Sequence, residues 1–591
     1  MQKFGWRWRW RWWCGWGALA LPLVMGAHPL EEFFTRFGEE WVRGDPELAT
    51  REQYFSGAEQ DALDRQLTPV SDRYRRERAE LARKALAELR AIERAGATPA
   101  LLTAADMMAW QLDDVVREVE FLHYDFPLEQ FIGVQRNLIV TLHNTHPIRN
   151  RRDVENYLER LSQVHEIMEQ AIAGATERAR RGFLPPRFIL AATIEQMERL
   201  IAPAPGENLL VTSLEERAAE LQDVSAADRA GFRAAAARDV EETVYPAYRR
   251  AIDLLSRQRD EATDEAGIRR LPGGERAYAH FLRHFTTTEL TPQQVHEIGR
   301  MEVTRIEAEM DTILRRLGFN EGSVKERYAA ANLSIQPPLE PDPRPGILAR
   351  YAEILAEAEL RSQALFDLRP KAPCVLRREP PFSEANAAAH YTLPAPDGSR
   401  PGIFWAPLPG PVFDLLDMRS LTYHEAIPGH HFQLALQQEL EELPRFQRHN
   451  IFGFNSAYGE GWALYAEWLA AHEGWYGDDL HGRLGYLDSE LLRARRLVVD
   501  TGLHVMGWSR QQAIDYGISV AETERYVVWP GQACSYKIGQ LRLVELRQRA
   551  EEALGARFDL KAFHNVVLRA PGVPLEVLSQ VVDDYIAAAR R

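Results

Sequence analysis

Apolar and charged residues alternate along most of the chain with the spacing of amphipathic helices. In stretches such as 71–95 and 154–181, apolar residues recur three and four positions apart between charged side chains. This spacing aligns apolar side chains on one face of an α-helix. Breaks that are rich in proline and glycine, at 184–186, 203–206 and 271–274, separate the periodic stretches. The pattern predicts a mainly α-helical protein.

One helix start is marked by three residues. Thr291 can cap the helix, Pro292 suits its first turn, and Gln294 completes a capping box. The apolar periodicity then continues to Leu317, and Gly318 suits a helix end. We therefore expect one long helix between these positions.

Sequence that is typical of strands is scarce. Residues 391–393 and 402–405 carry aromatic and β-branched side chains and flank an Asp397–Gly398 turn signal, which predicts a small β element. A soft boundary near 270 separates a helical N-terminal region, 28–270, from a region that carries the candidate chemistry, 271–591. The two regions can equally form one continuous body.

Composition narrows the function classes. The chain has 591 residues, of which 45% are hydrophobic and 27% are charged, and these values exclude wholesale disorder. The formal net charge of −15 argues against binding through nucleic-acid phosphates, so we expect no nucleic-acid partner. Three cysteines cannot build a disulfide framework.

The first 27 residues have the composition of a secretory signal. Alternating tryptophan and arginine at 6–13 is followed by a short apolar run at 15–27 that ends in small residues. We expect residues 1–27 to be a signal peptide and the mature protein to be periplasmic or secreted. The alternative is a mis-assigned start that adds a meaningless leader. The apolar run is too short to favour a spanning helix, and we expect no integral span in the mature chain.

The most informative stretch begins with His424 and Glu425. Imidazoles bind zinc, and a carboxylate beside the first ligand can activate a metal-bound water. In the usual H-E-x-x-H motif the second histidine lies one helical turn after the first. Here the next histidines are His430 and His431. On an undistorted helix His430 would point about 120° away from His424, and His431 would lie about 10.5 Å along the axis.

A regular helix therefore cannot bring these histidines onto one zinc ion. Pro428 removes a backbone donor and Gly429 tolerates unusual dihedral angles. A two-residue bulge at this point would return His430 to the position of the second ligand. His431 stays open as the alternative ligand, with a different distortion.

A third ligand is available further along the chain. Within Ala457–Leu469, Glu460 and Glu467 share one helical face. Glu460 can supply the carboxylate ligand, and Glu467 can orient a ligand histidine from behind. The structural alternative is a helix end with polar caps. The order of the residues favours a Zn²⁺ site.

These motifs resemble a known family. HEAIPGHHFQ at 424–433, EGWALYAE at 460–467, LPGG at 271–274 and PGQACSYKIG at 530–539 resemble the bacterial family catalogued as domain of unknown function 885. That family is similar at a distance to gluzincin-type zinc metallopeptidases, within the thimet-oligopeptidase and Taq-carboxypeptidase group. The resemblance implies a large helical body with a deep cleft and a small β element beside a zinc-peptidase-like helix pair.

The resemblance also implies residue roles. Gly429 and His430 match the Gly-His that ends the zinc motif of the relatives, which supports His430 over His431. Glu425 matches the general base, and Glu460 matches the ligand glutamate. This sequence departs from the pattern by two extra residues between Glu425 and His430.

Other residues are candidates for supporting roles. Tyr536 and His504 are candidate donors to a developing oxyanion, and Asp500 is spaced to hold the His504 imidazole. In the related peptidases a strand beside the zinc helix pairs with the substrate backbone, and we expect 402–405 to do so. The alternative for this strand is a buried core hairpin.

The combined prediction is an enzyme, a zinc-dependent hydrolase of short peptides, with His424, His430 and Glu460 as metal ligands and Glu425 as general base. One alternative is a non-peptide amide hydrolase that uses the same zinc. The other is a scaffold that binds peptide or metal without catalysis. The sequence has neither a G-x-S-x-G elbow nor a P-loop motif, which weakens serine-hydrolase and nucleotide readings.

Overall fold

The computed structural model describes residues 28–380, 384, 387–395, 398 and 400–591. The predicted signal peptide and Asp397 of the predicted turn lie outside the described residues. Among the described residues, helices dominate and the strands form one small sheet. The prediction of a mainly α-helical fold with a small β element is confirmed.

The described part of the chain before residue 270 folds into helices whose apolar faces are buried. The stretches 71–95 and 154–181 form the helices Asp72–Ala91, named α4, and Arg151–Arg180, named α7, as their periodicity predicts. The helices of this region are α1 Pro29–Arg43, α2 Pro46–Glu52, α3 Gly57–Asp64, α4 Asp72–Ala91, α5 Pro99–Glu118, α6 Val134–Val140, α7 Arg151–Arg180, α8 Arg187–Ile201, α9 Leu209–Ala219, α10 Ala226–Asp239 and α11 Tyr245–Glu261.

The remainder of the chain adds further helices and the sheet. These elements are α12 Gly274–Thr286, α13 Pro292–Arg316, α14 Val324–Ser334, α15 Arg344–Ser362, β1 Cys374–Arg378, β2 His390–Thr392, β3 Gly402–Ala406, α16 Met418–Glu425, α17 His430–Glu439, α18 Arg445–Arg448, α19 Ser456–His472, α20 Leu480–His504, α21 Arg510–Asp515, α22 Val520–Val528, α23 Ser535–Leu554, α24 Leu560–Leu568 and α25 Leu575–Arg590.

The predicted capping box opens α13. The hydroxyl of Thr291 accepts a hydrogen bond from the backbone of Gln294, and the Gln294 side chain accepts one from the backbone of Thr291. These bonds satisfy donors that a helix start leaves without partners. The helix ends at Arg316, within one residue of the predicted end.

The main apolar core joins the two ends of the chain. Side chains of α1 to α5 belong to the same buried cluster as residues between 268 and 586, while α6 to α11 enclose a second cluster. Within the first cluster the indole of Trp41 donates a hydrogen bond of 3.1 Å to the Ile451 carbonyl, and Phe34 packs on Phe446. Residues from both sides of position 270 contribute to the first cluster, and the division of the chain near 270 stays a prediction.

The sheet has the order β1–β3–β2, with β1 parallel and β2 antiparallel to β3. The β2–β3 pair confirms the predicted β element. The strand β1 consists of the segment Cys-Val-Leu-Arg-Arg, which shows no alternation of apolar and polar residues and is not predicted from the sequence. Neighbouring strands occupy both sides of β3 over residues 403–405. The expectation that 402–405 pairs with a substrate is therefore wrong, because the backbone groups of this strand are already used.

Small residues bring the helices of the candidate site close together. A side chain at Gly461 of α19 would approach the Gly539 backbone of α23 to 2.6 Å, so only glycine fits this crossing. Gly299 of α13 packs in the same manner against Leu497 and Val498 of α20. None of the described helices is long and apolar enough to cross a membrane.

Candidate metal centre

The histidine motif spans a helix break. The helix α16 ends at Glu425, and α17 begins at His430. Between them Ala426 has φ −110° and ψ −96°, and Gly429 has φ −79° and ψ −125°, so neither is helical. A Cβ atom at Gly429 would lie 1.9 Å from the His424 carbonyl oxygen, which explains the glycine. In place of the expected bulge within one helix, residues 426–429 form a break between two helices.

A hydrogen bond holds the turn against α19. The indole nitrogen of Trp462 donates to the carbonyl oxygen of Pro428 at 2.9 Å, and the indole is fully buried. Trp462 lies two residues after Glu460 on α19. The turn that precedes His430 is thus fixed to the helix that carries the proposed third ligand.

His424, His430 and Glu460 converge. The Nε2 atoms of His424 and His430 each lie 3.5 Å from Oε2 of Glu460, and the three ligand atoms lie within 4.8 Å of one another. A tetrahedral zinc ion with bonds of about 2.0–2.2 Å holds its ligand atoms roughly 3.4 Å apart. Both His–Glu distances match that spacing, whereas the wider separation of up to 4.8 Å requires the ligand atoms to close by about 1 Å around a zinc ion. Three such donors would leave one tetrahedral position for water or substrate.

Positive charge on the imidazoles balances the buried carboxylates of this cluster. Burial alone would lower the pKa of His424, but hydrogen bonds with Glu460 and Glu467 raise it to about 10. Burial opposes ionisation of Glu460, yet the two imidazoles hold the pKa of that carboxyl well below its usual value. Buried carboxylates are stable only beside positive charge, and a metal ion supplies the same compensation as a proton on His424.

Glu467 holds the first imidazole from behind. Its Oε1 lies 2.8 Å from Nδ1 of His424, and its Oε2 accepts hydrogen bonds from Ser489, at 2.8 Å, and from Ser420. This arrangement turns Nε2 of His424 towards Glu460. A carboxylate behind a ligand histidine fixes the tautomer and the orientation of the ring.

We expect Glu467→Gln to weaken zinc binding roughly 10- to 100-fold, because a neutral amide accepts more weakly from Nδ1–H of His424 and no longer raises the basicity of the ligand Nε2. Competition with a fluorescent zinc chelator measures the affinity. Glu473→Gln is a suitable control, because that side chain lies on the same stretch of chain and pairs with Arg547 instead. Equal affinity in wild type and Glu467→Gln would contradict the orienting role.

His431 faces a different part of the molecule from His430. Its Nδ1 atom lies 2.9 Å from the hydroxyl of Tyr391 on β2. Burial lowers the pKa of His431 to about 4, against a backbone hydrogen bond at Ala372. Of the two histidines that the sequence left open, the structure brings His430 to Glu460 and places His431 against the sheet.

Glu425 lies beside the three converging side chains. Its side chain is buried, and burial raises the pKa of its carboxyl, while His424 and His430 oppose that rise. His390, at the start of β2, likewise opposes the rise in the pKa of this carboxyl. A buried carboxylate with a raised pKa is suited to accept and return a proton near neutral pH.

His504 does not reach the converging ligands through a free nitrogen. It is fully buried, its Nδ1 accepts a hydrogen bond of 3.1 Å from the Ile268 backbone, and its Nε2 donates one of 3.0 Å to the Tyr526 carbonyl. Asp500 instead accepts bonds from the Tyr278 hydroxyl and from the Gly531 backbone. The predicted oxyanion role of His504 and its support by Asp500 therefore do not fit the geometry.

His504 is a buried, neutral histidine, so the free energy of unfolding should depend on pH through this residue. Burial lowers its pKa to about 4, so the folded protein binds fewer protons here than the unfolded chain does. The contribution of neutral His504 to the stability of the folded protein is fully present above about pH 6.5 and is lost as the pH falls towards 4. We expect the stability difference between wild type and His504→Asn to shrink by about 2 kcal/mol between pH 7 and pH 5. Urea unfolding at both pH values measures it; a constant difference would contradict the assignment.

Tyr536 lies on α23, the helix that crosses α19 at Gly539 and Gly461. It lies in the first turn of α23, partly exposed, with its ring 4.4 Å from the Arg496 guanidinium. The residue before it, Ser535, has its hydroxyl 2.6 Å from the hydroxyl of Ser456. Ser456 lies on α19, one helical turn before Glu460. Its predicted role as an oxyanion donor stays a prediction.

Sequence reasoning missed several residues that position the ligands. They are Trp462, which holds the turn, and Ser420 and Ser489, which hold Glu467. The two serines carry no local pattern, because each lies on a helix whose packing against α19 is not encoded in short-range spacing. Trp462 lies within EGWALYAE at 460–467, but its partner is the backbone carbonyl of Pro428, which the spacing within that motif does not reveal.

The fold and this cluster define a large, mainly α-helical protein with a buried cluster of two histidines and a glutamate. Residues 46–582 match the model of the family described as "Bacterial protein of unknown function (DUF885)". The chain therefore belongs to this family, which the sequence motifs had suggested. No curated protein matches the chain.

Solved structures share the fold. A candidate lipoprotein from Colwellia psychrerythraea has 29% sequence identity and a TM-score of 0.86, and the match covers 94% of this chain and 99% of that chain. A candidate lipoprotein of unknown function from Shewanella oneidensis has 19% identity and a TM-score of 0.71, with the same coverage. The second likeness concerns the fold alone.

Proposed function

We propose that this protein is a zinc-dependent hydrolase that cleaves peptide bonds of short peptides. The observation that carries the proposal is the convergence of His424, His430 and Glu460 with the buried carboxyl of Glu425 beside them. Two imidazoles and a carboxylate with an adjacent glutamate are the donor set of hydrolytic zinc sites. The order of these residues along the chain, with Glu467 seven positions after Glu460, supports a relation to gluzincin-type peptidases.

The residues of this chain have distinct tasks in such a reaction. Zinc, when bound by the three ligands, supplies a Lewis acid that polarises the scissile carbonyl and acidifies the attacking water. Glu425 accepts the proton of that water and passes it to the leaving nitrogen. Glu467 keeps His424 oriented throughout, and Tyr536 is the candidate donor to the oxyanion.

Burial of the site favours slender substrates. His424, Glu425 and His430 are all buried, and the Glu460 side chain is only 15% exposed. A folded protein surface cannot present a peptide bond to ligands at this depth, whereas an extended short peptide can. The same argument admits small amidated molecules, so a substrate screen should include both classes.

Metal content tests the proposal. We expect about one zinc per chain in the wild-type protein by inductively coupled plasma mass spectrometry. His430→Ala should lose it and His431→Ala should keep it, because only His430 faces Glu460. Zinc that is kept by His430→Ala and lost by His431→Ala would contradict the ligand set. A wild-type chain that takes up no zinc would overturn the hydrolase proposal and favour a binding scaffold.

The proposal includes export to the cell envelope. Residues 1–27 have the composition of a secretory signal. The two structural relatives are described as candidate lipoproteins, a class of exported protein. Peptides in the cell envelope are accordingly the substrates with which a screen should begin.

A further inference from the structure

A groove lies between α15 and the outer edge of β1, and it has a volume of about 880 Å³. We name it the α15–β1 groove. Its lining is mostly apolar and comes from one face of α15, from β1 with the segment before it, and from the turn at the start of α17. The lining residues used below are Leu348, Ala352, Leu355, Cys374, Leu376 and Phe432.

One wall of the groove is an open strand edge. The carbonyl of Pro373 accepts a hydrogen bond from Gly402, and the amide of Glu379 donates one to Ala406. With the parallel register of Cys374 opposite Gly402, alternate residues from Pro373 onwards bond to β3. The backbone groups of 374, 376 and 378 therefore point away from β3. In the part of the chain that the structure describes, β1 has β3 as its single partner strand.

The opposite wall is apolar. Leu348, Ala352 and Leu355 of α15 share the helix face that lines the groove, and Ala352 is exposed. Phe432 and Ile427 close the inner side. A strand that added to β1 would turn alternate side chains towards this apolar wall, since successive side chains of a strand point to opposite faces.

The charged residues of the lining are mainly basic. They are Arg369, Lys371 and Arg378 against Glu359, in a chain whose formal net charge is −15. Glu359 pairs with Arg369, and Glu384 pairs with Arg378. Both arginines are thus neutralised, and among the described residues Lys371 is the basic side chain of the lining that forms no ion pair. Lys371 is exposed. It suits one negative charge on the occupant.

We infer that the α15–β1 groove binds an extended peptide with apolar side chains at alternate positions and a negative charge, as an added strand on β1. Edge groups that repeat along a strand match the backbone of another strand, and pockets for alternate side chains give the selectivity. None of the three proposed metal ligands lines the groove.

The inference goes beyond the proposed hydrolase activity and does not depend on it. The test uses the full-length Glu425→Gln chain, so that a labelled peptide is not consumed if the wild-type protein is a peptidase. The probe is a fluorescein-labelled Asp-Val-Thr-Val-Thr-Val peptide, and fluorescence anisotropy measures its Kd. Two further probes carry N-methyl groups on the odd or on the even backbone amides.

We expect one N-methylated set to bind at least roughly tenfold more weakly, and the other set to bind like the parent peptide. Only one set of amides faces β1 in an added strand, so this asymmetry is the signature of strand addition. Equal binding of the two methylated peptides, or no binding of the parent peptide, would overturn the inference.

A pair of variants on α15 locates the binding. Ala352→Glu places a bulky negative charge in the groove and should weaken binding of the parent peptide roughly tenfold or more. Leu360→Glu adds the same charge on the same helix at a position that is 69% exposed and does not line the groove. It should bind like the unsubstituted chain. Equal effects of the two substitutions would contradict binding in the groove.

Discussion

Glu425→Gln is expected to lower peptide hydrolysis by roughly 10²- to 10⁴-fold while the protein keeps its zinc. Glutamine has the shape of glutamate and can still accept a hydrogen bond, but it cannot take a proton from water. Glu425 is not one of the three converging residues that could bind the metal, so replacing its carboxyl leaves the donor set intact. The variant therefore separates proton transfer from metal binding.

Two measurements on the same preparation test this prediction. Zinc content by mass spectrometry establishes that the site is loaded, and cleavage of a peptide library by the same sample gives the rate. Glu442→Gln is a suitable control, because that glutamate is exposed and pairs with Arg569. Wild-type turnover in zinc-loaded Glu425→Gln would remove Glu425 from the role of the base.

The helical character of this fold could be predicted because it rests on local signals. The capping box at Thr291 and the apolar periodicity of α4 and α7 act within a few residues of sequence. Packing between distant segments could not be predicted. Trp41 reaches Ile451 across 410 positions, and no periodicity encodes that pair.

In the candidate site, too, the features set by local spacing could be predicted, and the contacts between distant helices could not. Glu460 and Glu467 lie two helical turns apart, so their shared face follows from spacing, and the structure places Glu467 behind His424. Pro428 and Gly429 predict a distortion of the helix, and the structure has a helix break there. The hydrogen bond that holds this turn comes from Trp462 of α19, a contact that the local sequence does not reveal. The role expected for Asp500 followed an i, i+4 rule, whereas its partners come from Tyr278 and Gly531.

The sheet shows why a local strand signal does not reveal an edge. Residues 402–405 read as a strand and form one, yet their use depends on β1, which is not encoded by alternation. Once β1 pairs with β3, the free edges move to β1 and β2. The open edges therefore emerge only from the three-strand topology, and one of them forms the groove beside α15.

Glu460→Gln is expected to abolish the stabilisation of the protein by zinc. A ligand that binds only the folded state raises the free energy of unfolding by about 2.7 kcal/mol when its free concentration is one hundred times Kd. Thermal unfolding of the wild-type chain should therefore shift upwards when zinc is added and downwards when a chelator removes it. The variant should show neither shift, because the carboxylate that both Nε2 atoms face has become a weak, neutral donor.

The same substitution acts on the zinc-free protein in a way that tests the electrostatics. Without zinc, His424 and His430 hold the pKa of the Glu460 carboxyl well below its usual value, so the pairing stabilises the ionised side chain. Removing the charge leaves Glu467 as the carboxylate bonded to His424, and the proton on that imidazole loses one of its two partners. Zinc-free Glu460→Gln should therefore unfold at a lower temperature than zinc-free wild type. A zinc-dependent shift of wild-type size in the variant would exclude Glu460 as a ligand, because the remaining histidines alone would then account for the binding.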